Sequence, residues 1–140
     1  VNASEKQGMS ALAFACQNEH EDIVRYLVEQ GADVNAPGDM DRTPLMAAAS
    51  NGCHLEILRF LVEHGANVNA RGELGWTALI WAAREGCIEC VKYLLSQGAN
   101  PNIRARGGET IIELTQETDS SNRQSIIHIL KTSMNGPKRR

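Results

Sequence analysis

The side chains best suited to chemistry in this 140-residue chain are its thiols and imidazoles. Cys87-Ile88-Glu89-Cys90 is a C-x-x-C, and His54 lies one sequence period earlier at the position equivalent to Cys87. Thiolate sulfur and imidazole nitrogen are the ordinary ligands of tetrahedral zinc, so Cys53, His54, Cys87 and Cys90 form a conceivable four-ligand set. The same dithiol is a conceivable redox pair, although C-x-x-C outside a β-α-β context is weak evidence. Position argues against both. Cys90 stands where other copies of the pattern carry Ile23 and Ile57, and Cys16 where they carry Ala49 and Ala83. Small apolar packing accounts for both cysteines. No metal and no cofactor is therefore expected. Neither the phosphate-cradling glycine motifs, nor H-E-x-x-H, nor G-x-S-x-G occurs, and no catalytic residues are assigned. Arg106-Gly107-Gly108-Glu109 reads as a turn, not a phosphate loop. His64 and His128 show no partner pattern.

The copies are the organising feature. Thr77-Ala78-Leu79-Ile80-Trp81-Ala82-Ala83, then Gly86 and Gly98-Ala99-Asn100, repeats an earlier run. That run is Thr43-Pro44-Leu45-Met46-Ala47-Ala48-Ala49, then Gly52 and Gly65-Ala66-Asn67. Ser10 to Cys16, with Gly31-Ala32-Asp33, is the same pattern one period earlier still, and Thr110-Ile111-Ile112 opens a degraded fourth copy. The steps from Ser10 to Thr43, Thr77 and Thr110 are equal to within one position. A fixed period of roughly 33 residues specifies a stacked repeat array.

Each copy reads as two short helices. Ser10, Thr43, Thr77 and Thr110 precede apolar helical runs, where a hydroxyl accepts from a first-turn N–H. Pro44 suits the first helical position, where its missing N–H costs nothing. The first helices are alanine-rich, which allows close approach. The second carry Ile23, Val24, Leu27 and Val28; Ile57, Leu58, Leu61 and Val62; and Cys90, Val91, Leu94 and Leu95, each set on one stripe. Gly31, Gly65 and Gly98 end these helices in the left-handed conformation. The polar segments that follow are expected to project as turns. Repeat two carries one extra residue near Cys53. The last copy stretches its turn over Thr118 to Arg123, and Glu113, Thr115, Gln116 and Glu117 are expected to face water. None of these helices is long enough to stand alone, so the array is the unit of stability.

Bulk properties limit the function classes. With 42% hydrophobic and 22% charged residues the chain should fold. A net charge of −3 gives no global attraction to nucleic acid or anionic membrane. Arg104, Arg106, Lys138, Arg139 and Arg140 make the C-terminal end basic, but aromatics are only 4%, so no nucleic-acid partner is expected. No apolar run reaches the roughly 20 residues of a membrane span. The cysteine slots favour reduced, buried thiols, hence a reducing, cytoplasmic setting.

The Thr-Pro-Leu, the Ala pair, the mid-repeat Gly and the closing Gly-Ala-Asp/Asn-Val-Asn-Ala resemble ankyrin repeats across nearly the whole chain. The resemblance implies an all-α solenoid of helix-turn-helix units with projecting β-turn fingers. The expected divisions are an upstream repeat's tail at 1–3 (Val1-Asn2-Ala3 matches Val34-Asn35-Ala36), and repeats at 4–36, 37–70 and 71–103. A divergent capping repeat at 104–133 and a basic tail at 134–140 complete them. His20 and His54 fall where the family often carries His, a structural position. The family's His after Thr-Pro-Leu is replaced by Ala13, Met46, Ile80 and Glu113. That puts polar bracing between repeats in question, with apolar contact from Met46 and Ile80 as the substitute.

The resemblance also implies a non-enzymatic, monomeric module that binds a protein or peptide through fingertips and first helices. Alternatives are a stand-alone inhibitor that blocks an enzyme with its fingers and, more remotely, a Cys/His metal-binding regulator. The expected contact surface centres on Met40, Leu74 and Trp76, rimmed by Asp39, Arg42, Glu73 and Arg84. A contiguous rimmed apolar patch of this kind is a partner-site signal. Trp81 either packs between repeats or lines the groove, and Gln17 and Asn51 are expected as polar contacts on the first-helix ends.

Overall fold

The computed structural model describes residues 11–38, 41–50, 54–116 and 121–135. Among them, helices follow one another as α1 (Ala11–Gln17), α2 (Glu21–Glu29), α3 (Pro44–Ser50), α4 (Leu55–Glu63), α5 (Ala78–Arg84), α6 (Ile88–Ser96), α7 (Ile111–Gln116) and α8 (Arg123–Asn135). No strand occurs among the described residues. The helices pair α1/α2, α3/α4, α5/α6 and α7/α8, and the pairs stack in chain order. First helices α1, α3, α5 and α7 form one layer, and second helices α2, α4, α6 and α8 the other.

The core lies between the layers. Ala47, Ala48, Ala49, Ala82 and Ala83 are fully buried, which is what lets the first helices pack closely. Ile57, Leu58, Leu61, Val91, Leu94, Ile126 and Leu130 fill the space behind them. No helix among the described residues is long and apolar enough to cross a membrane.

Local chemistry sets the helix ends. Thr43, Thr77 and Thr110 accept the backbone N–H of Met46, Ile80 and Glu113 at 3.3, 3.4 and 3.1 Å. Glu113 in turn accepts the Thr110 N–H at 2.9 Å, closing a capping box. Gly31, Gly65 and Gly98 sit at φ 97°, 98° and 96°, where an L side chain is strained. The extra residue of repeat two is absorbed before α4. His20 and Cys87 each donate to the carbonyl five residues back (Ala15 and Ala82), whereas His54 reaches six residues back to Ala48.

Polar bracing between repeats does exist, and it comes from asparagine. Asn35 donates to the Gly65 carbonyl at 3.1 Å and accepts the Asn67 N–H at 2.7 Å. Asn69 repeats this with Gly98 at 3.1 Å and Asn100 at 2.8 Å. Met46 and Ile80 are buried as apolar substitutes.

Four expectations need correction. Thr115 is fully buried, not water-facing, because its hydroxyl is satisfied by the Ile111 carbonyl at 2.7 Å. Helix α8 begins at Arg123, inside the expected turn; Asn122 bonds the Gly86 carbonyl at 2.8 Å immediately before it. His64 has a partner pattern after all: its Nδ1 lies 2.8 Å from the Phe60 carbonyl and its ring 4.1 Å from that of Phe60. Ile23 is exposed although Ile57 and Cys90, at the same repeat position, are buried.

Candidate functional site

The third finger is built by backbone geometry. The Gly72 N–H donates to the Trp76 carbonyl at 3.0 Å, and the Gly75 N–H to the Gly72 carbonyl at 2.9 Å. Gly75 sits at φ 78°, and a Cβ there would lie 2.9 Å from the Arg106 nitrogen, so glycine is required. This closure puts Glu73 and Leu74 at the tip, with Leu74 45% exposed. The neighbouring fingers close the same way, Gly38 to Arg42 at 2.7 Å and Ala105 to Glu109 at 2.9 Å. Arg42 therefore occupies in finger two the place that Trp76 occupies in finger three.

Trp76 immediately precedes the cap Thr77, so its ring leans against α5. It meets Trp81 edge-on, with centroids 4.7 Å apart and planes at 65°. The two half-buried indoles lie between two guanidiniums: Arg42 is 5.6 Å from the Trp81 ring and Arg84 4.9 Å from the Trp76 ring. Planar guanidinium on an indole face is an electrostatically favourable stack. Arg42 is aimed by hydrogen bonds from its two terminal nitrogens, to Gln17 Oε1 at 2.9 Å and Ser50 Oγ at 3.1 Å. Its Nε is buried without a hydrogen-bond partner among the described residues.

Arg42, Gly72, Glu73, Leu74, Trp76 and Trp81 line one shallow cleft of about 10 Å³, room for no more than a water. That volume is too small to enclose a small molecule. Of the residues expected from sequence, Arg42, Glu73, Leu74, Trp76 and Trp81 are thus brought together. Arg84 and Gln17 adjoin them through Trp76 and Arg42. Asp39, Met40 and Asn51 lie outside the described residues. Trp81 serves both expected roles, packing on the core and lining the cleft.

Sequence reasoning misses Arg71. Its Nε donates to the Gly75 carbonyl at 3.1 Å and its Nη2 to the Arg104 carbonyl, so it ties finger three to finger four. The signal is present in the repeat: Arg104 recurs one period later and binds the Gly108 carbonyl at 2.7 Å in the same way. Arg106 completes the tie, its N–H donating to the Leu74 carbonyl at 3.0 Å.

The thiols are separate from this surface. Burial pushes Cys16 up to about 12, and burial with the nearby Glu89 charge pushes Cys90 up to about 11. Such thiols are protonated and poorly nucleophilic at neutral pH. Cys87 is disulfide-bonded. That corrects the expectation of uniformly reduced cysteines and removes Cys87 from the argument for a reducing compartment. Cys53 lies outside the described residues. Among the described residues no three His, Cys, Asp or Glu side chains gather as a metal cluster. His54 instead faces Glu19 at 3.4 Å across the first two repeats.

Comparison with known proteins places this geometry. A family model of ankyrin repeats in three copies matches residues 36–105, half of the chain, and a single-repeat model matches residues 7–39. The chain belongs to the ankyrin-repeat family. Ankyrin repeats generally serve as protein–protein interaction modules, and proteins built from them are typically non-enzymatic. Among curated relatives, α-latrocrustotoxin-Lt1a of Latrodectus tredecimguttatus is 44% identical over 45 residues, 32% of this chain. α-Latroinsectotoxin-Lt1a of the same spider is 47% identical over 45 residues, again 32% of this chain. The transient receptor potential cation channel subfamily A member 1 of Drosophila melanogaster is 44% identical over 50 residues, 36% of this chain. The aligned stretches span 3% to 4% of the length of these relatives, so the likeness is one of repeats.

Proposed function

We propose that this ankyrin-repeat array is a monomeric protein-interaction module whose contact surface is the Arg42–Trp81–Trp76–Arg84 stack with Leu74 at its edge. The observation that carries the reading is a fingertip leucine exposed beside two half-buried indoles, all held on braced elements. Trp and Arg are the usual energetic anchors of interfaces. The Asn35 and Asn69 brackets and the Arg71 tie hold this surface in place before binding, so little ordering entropy opposes association. The shallow cleft favours a protein or peptide over a small ligand.

The test is capture of binding proteins from the source organism's lysate by the wild type and by folded Trp76→Ala, compared by mass spectrometry. The expected result is a protein retained by the wild type and lost or weakened at least tenfold by the variant, about 1.4 kcal/mol or more. A protein retained equally by both keeps a binding function but discards this surface.

A further inference from the structure

Fingers three and four gather cations that no carboxylate answers. Arg71 and Arg106 converge on one point: a Cβ on Gly75 would stand 3.0 Å from the Arg71 Nη2 and 3.0 Å from the Arg106 Cγ. The Arg71 Nη2 donates to the Arg104 carbonyl, and the Arg104 Nη1 to the Gly108 carbonyl at 2.7 Å, so a third arginine is anchored on the same pair of fingers. All three are exposed, and among the described residues none of them is in an ion pair. The acids of these fingers do not neutralise them. Glu73 forms no ion pair among the described residues, and Glu109 folds over Gly107, its Oε1 2.7 Å from where a Cβ there would stand. Backbone carbonyls fix the Arg71 and Arg104 side chains, so like charges are held close enough to repel one another. The net charge of −3 conceals this region, because α2, α4 and α6 carry more carboxylates than cations.

We infer that this finger pair takes an acidic segment of a protein partner, whose Asp or Glu side chains pair with Arg71, Arg104 and Arg106 while an adjoining apolar side chain rests on Leu74 and Trp76. The inference rests on the contact surface proposed above, of which Leu74 and Trp76 are part. The cationic and apolar halves are joined directly, since the Arg106 N–H donates to the Leu74 carbonyl at 3.0 Å. A carboxylate matches the planar guanidinium fork with paired hydrogen bonds, and it relieves the repulsion among the three cations. The same surface disfavours a nucleic acid. Glu73 and Glu109 stand on the same fingers as the arginines and would repel a continuous phosphate backbone. The indole rings that could stack on bases already carry Arg42 and Arg84.

The probe is a phage-displayed library of short random peptides, panned against the immobilised whole chain at low ionic strength. Enriched sequences are then synthesised with a fluorescent label and titrated by anisotropy. The expected result is enrichment of peptides that carry Asp or Glu beside a large apolar residue, with affinity that falls as NaCl is added. Arg106 is the residue to vary, because among the described residues its exposed side chain makes no hydrogen bond, whereas Arg71 ties the fingers together. Binding should weaken about threefold in Arg106→Gln and about tenfold in Arg106→Glu, with Arg106→Lys close to wild type. Circular dichroism and Tm of these variants should match the wild type. Trp76→Ala should weaken the same peptides. Enriched peptides that need Trp76 but lack acids, or that bind Arg106→Glu as well as wild type, overturn the inference and leave the contact surface standing. Peptides indifferent to Trp76→Ala, or no enrichment at all, overturn the surface and the inference with it. A labelled single-stranded DNA oligonucleotide that binds more tightly than the peptides, and is lost with Arg106→Glu, overturns the inference by assigning the arginines to phosphate.

Discussion

At the scale of single residues, environment decides what each reactive group does. Cys16 is a thiol whose burial raises its pKa to about 12 from the usual 9.0, and Ala49 and Ala83 fill the same repeat position. Below pH 9 the thiol is neutral in both folded and unfolded chains. Above it the unfolded chain loses the proton first, so stability falls as pH rises toward 12. Urea unfolding between pH 8 and 10.5 should show that decline, and Cys16→Ala should flatten part of it. Asp41 offers a second residue-scale test. It holds φ 59° where the equivalent fingers use Gly75 and Gly108 at 78° and 90°. Asp41→Gly should relieve left-handed strain and raise stability by about 0.5–1 kcal/mol, read as a shifted urea midpoint. Both positions are visible as repeat equivalents in the sequence. Neither pKa nor φ is, since each depends on packing.

At the scale of elements, the helix pairs are joined by groups whose role the sequence conceals. The lost family histidine suggested missing polar bracing, yet Asn35 and Asn69 supply it from the turn after each second helix. Asn69→Ala removes a donor to Gly98 and an acceptor for Asn100, and should destabilise the chain by about 1–2 kcal/mol in urea unfolding, mostly by unpinning repeat three from repeat two. The asparagines are plain in the closing Gly-Ala-Asn-Val-Asn-Ala, but their partners lie nearly a full repeat away, and only the stacked geometry shows the pairing. The capping threonines are legible because their partners are local, three residues on.

At the scale of the whole molecule, stability comes from repeats covering one another. The same residue type at the same repeat position therefore carries different weight along the stack. Ile57→Ala, beneath the preceding pair, should cost about 2–4 kcal/mol, whereas Ile23→Ala, on the uncovered face, should cost less than about 1 kcal/mol by urea unfolding. Equal losses would contradict the stacking account. The proposed contact surface is likewise a property of the assembly, since Gln17 of repeat one aims Arg42 of repeat two at Trp81 of repeat three.

The sequence by itself determined the period, the two-helix unit, the caps at Thr43, Thr77 and Thr110, and the glycines at the helix ends. These follow from local sterics and from periodicity, which one chain displays three times over. It also singled out Arg42, Leu74 and Trp76, because apolar and cationic residues stood where the fold projects turns, and left Trp81, on a first helix, between packing and lining the groove. The tertiary structure decided what depends on distance between repeats: the edge-on indole pair, the Arg71 tie, the asparagine brackets, the burial of Thr115 and the exposure of Phe14, Ile23 and Tyr26. Periodicity marks which positions are equivalent; only stacking decides which of them has a neighbour.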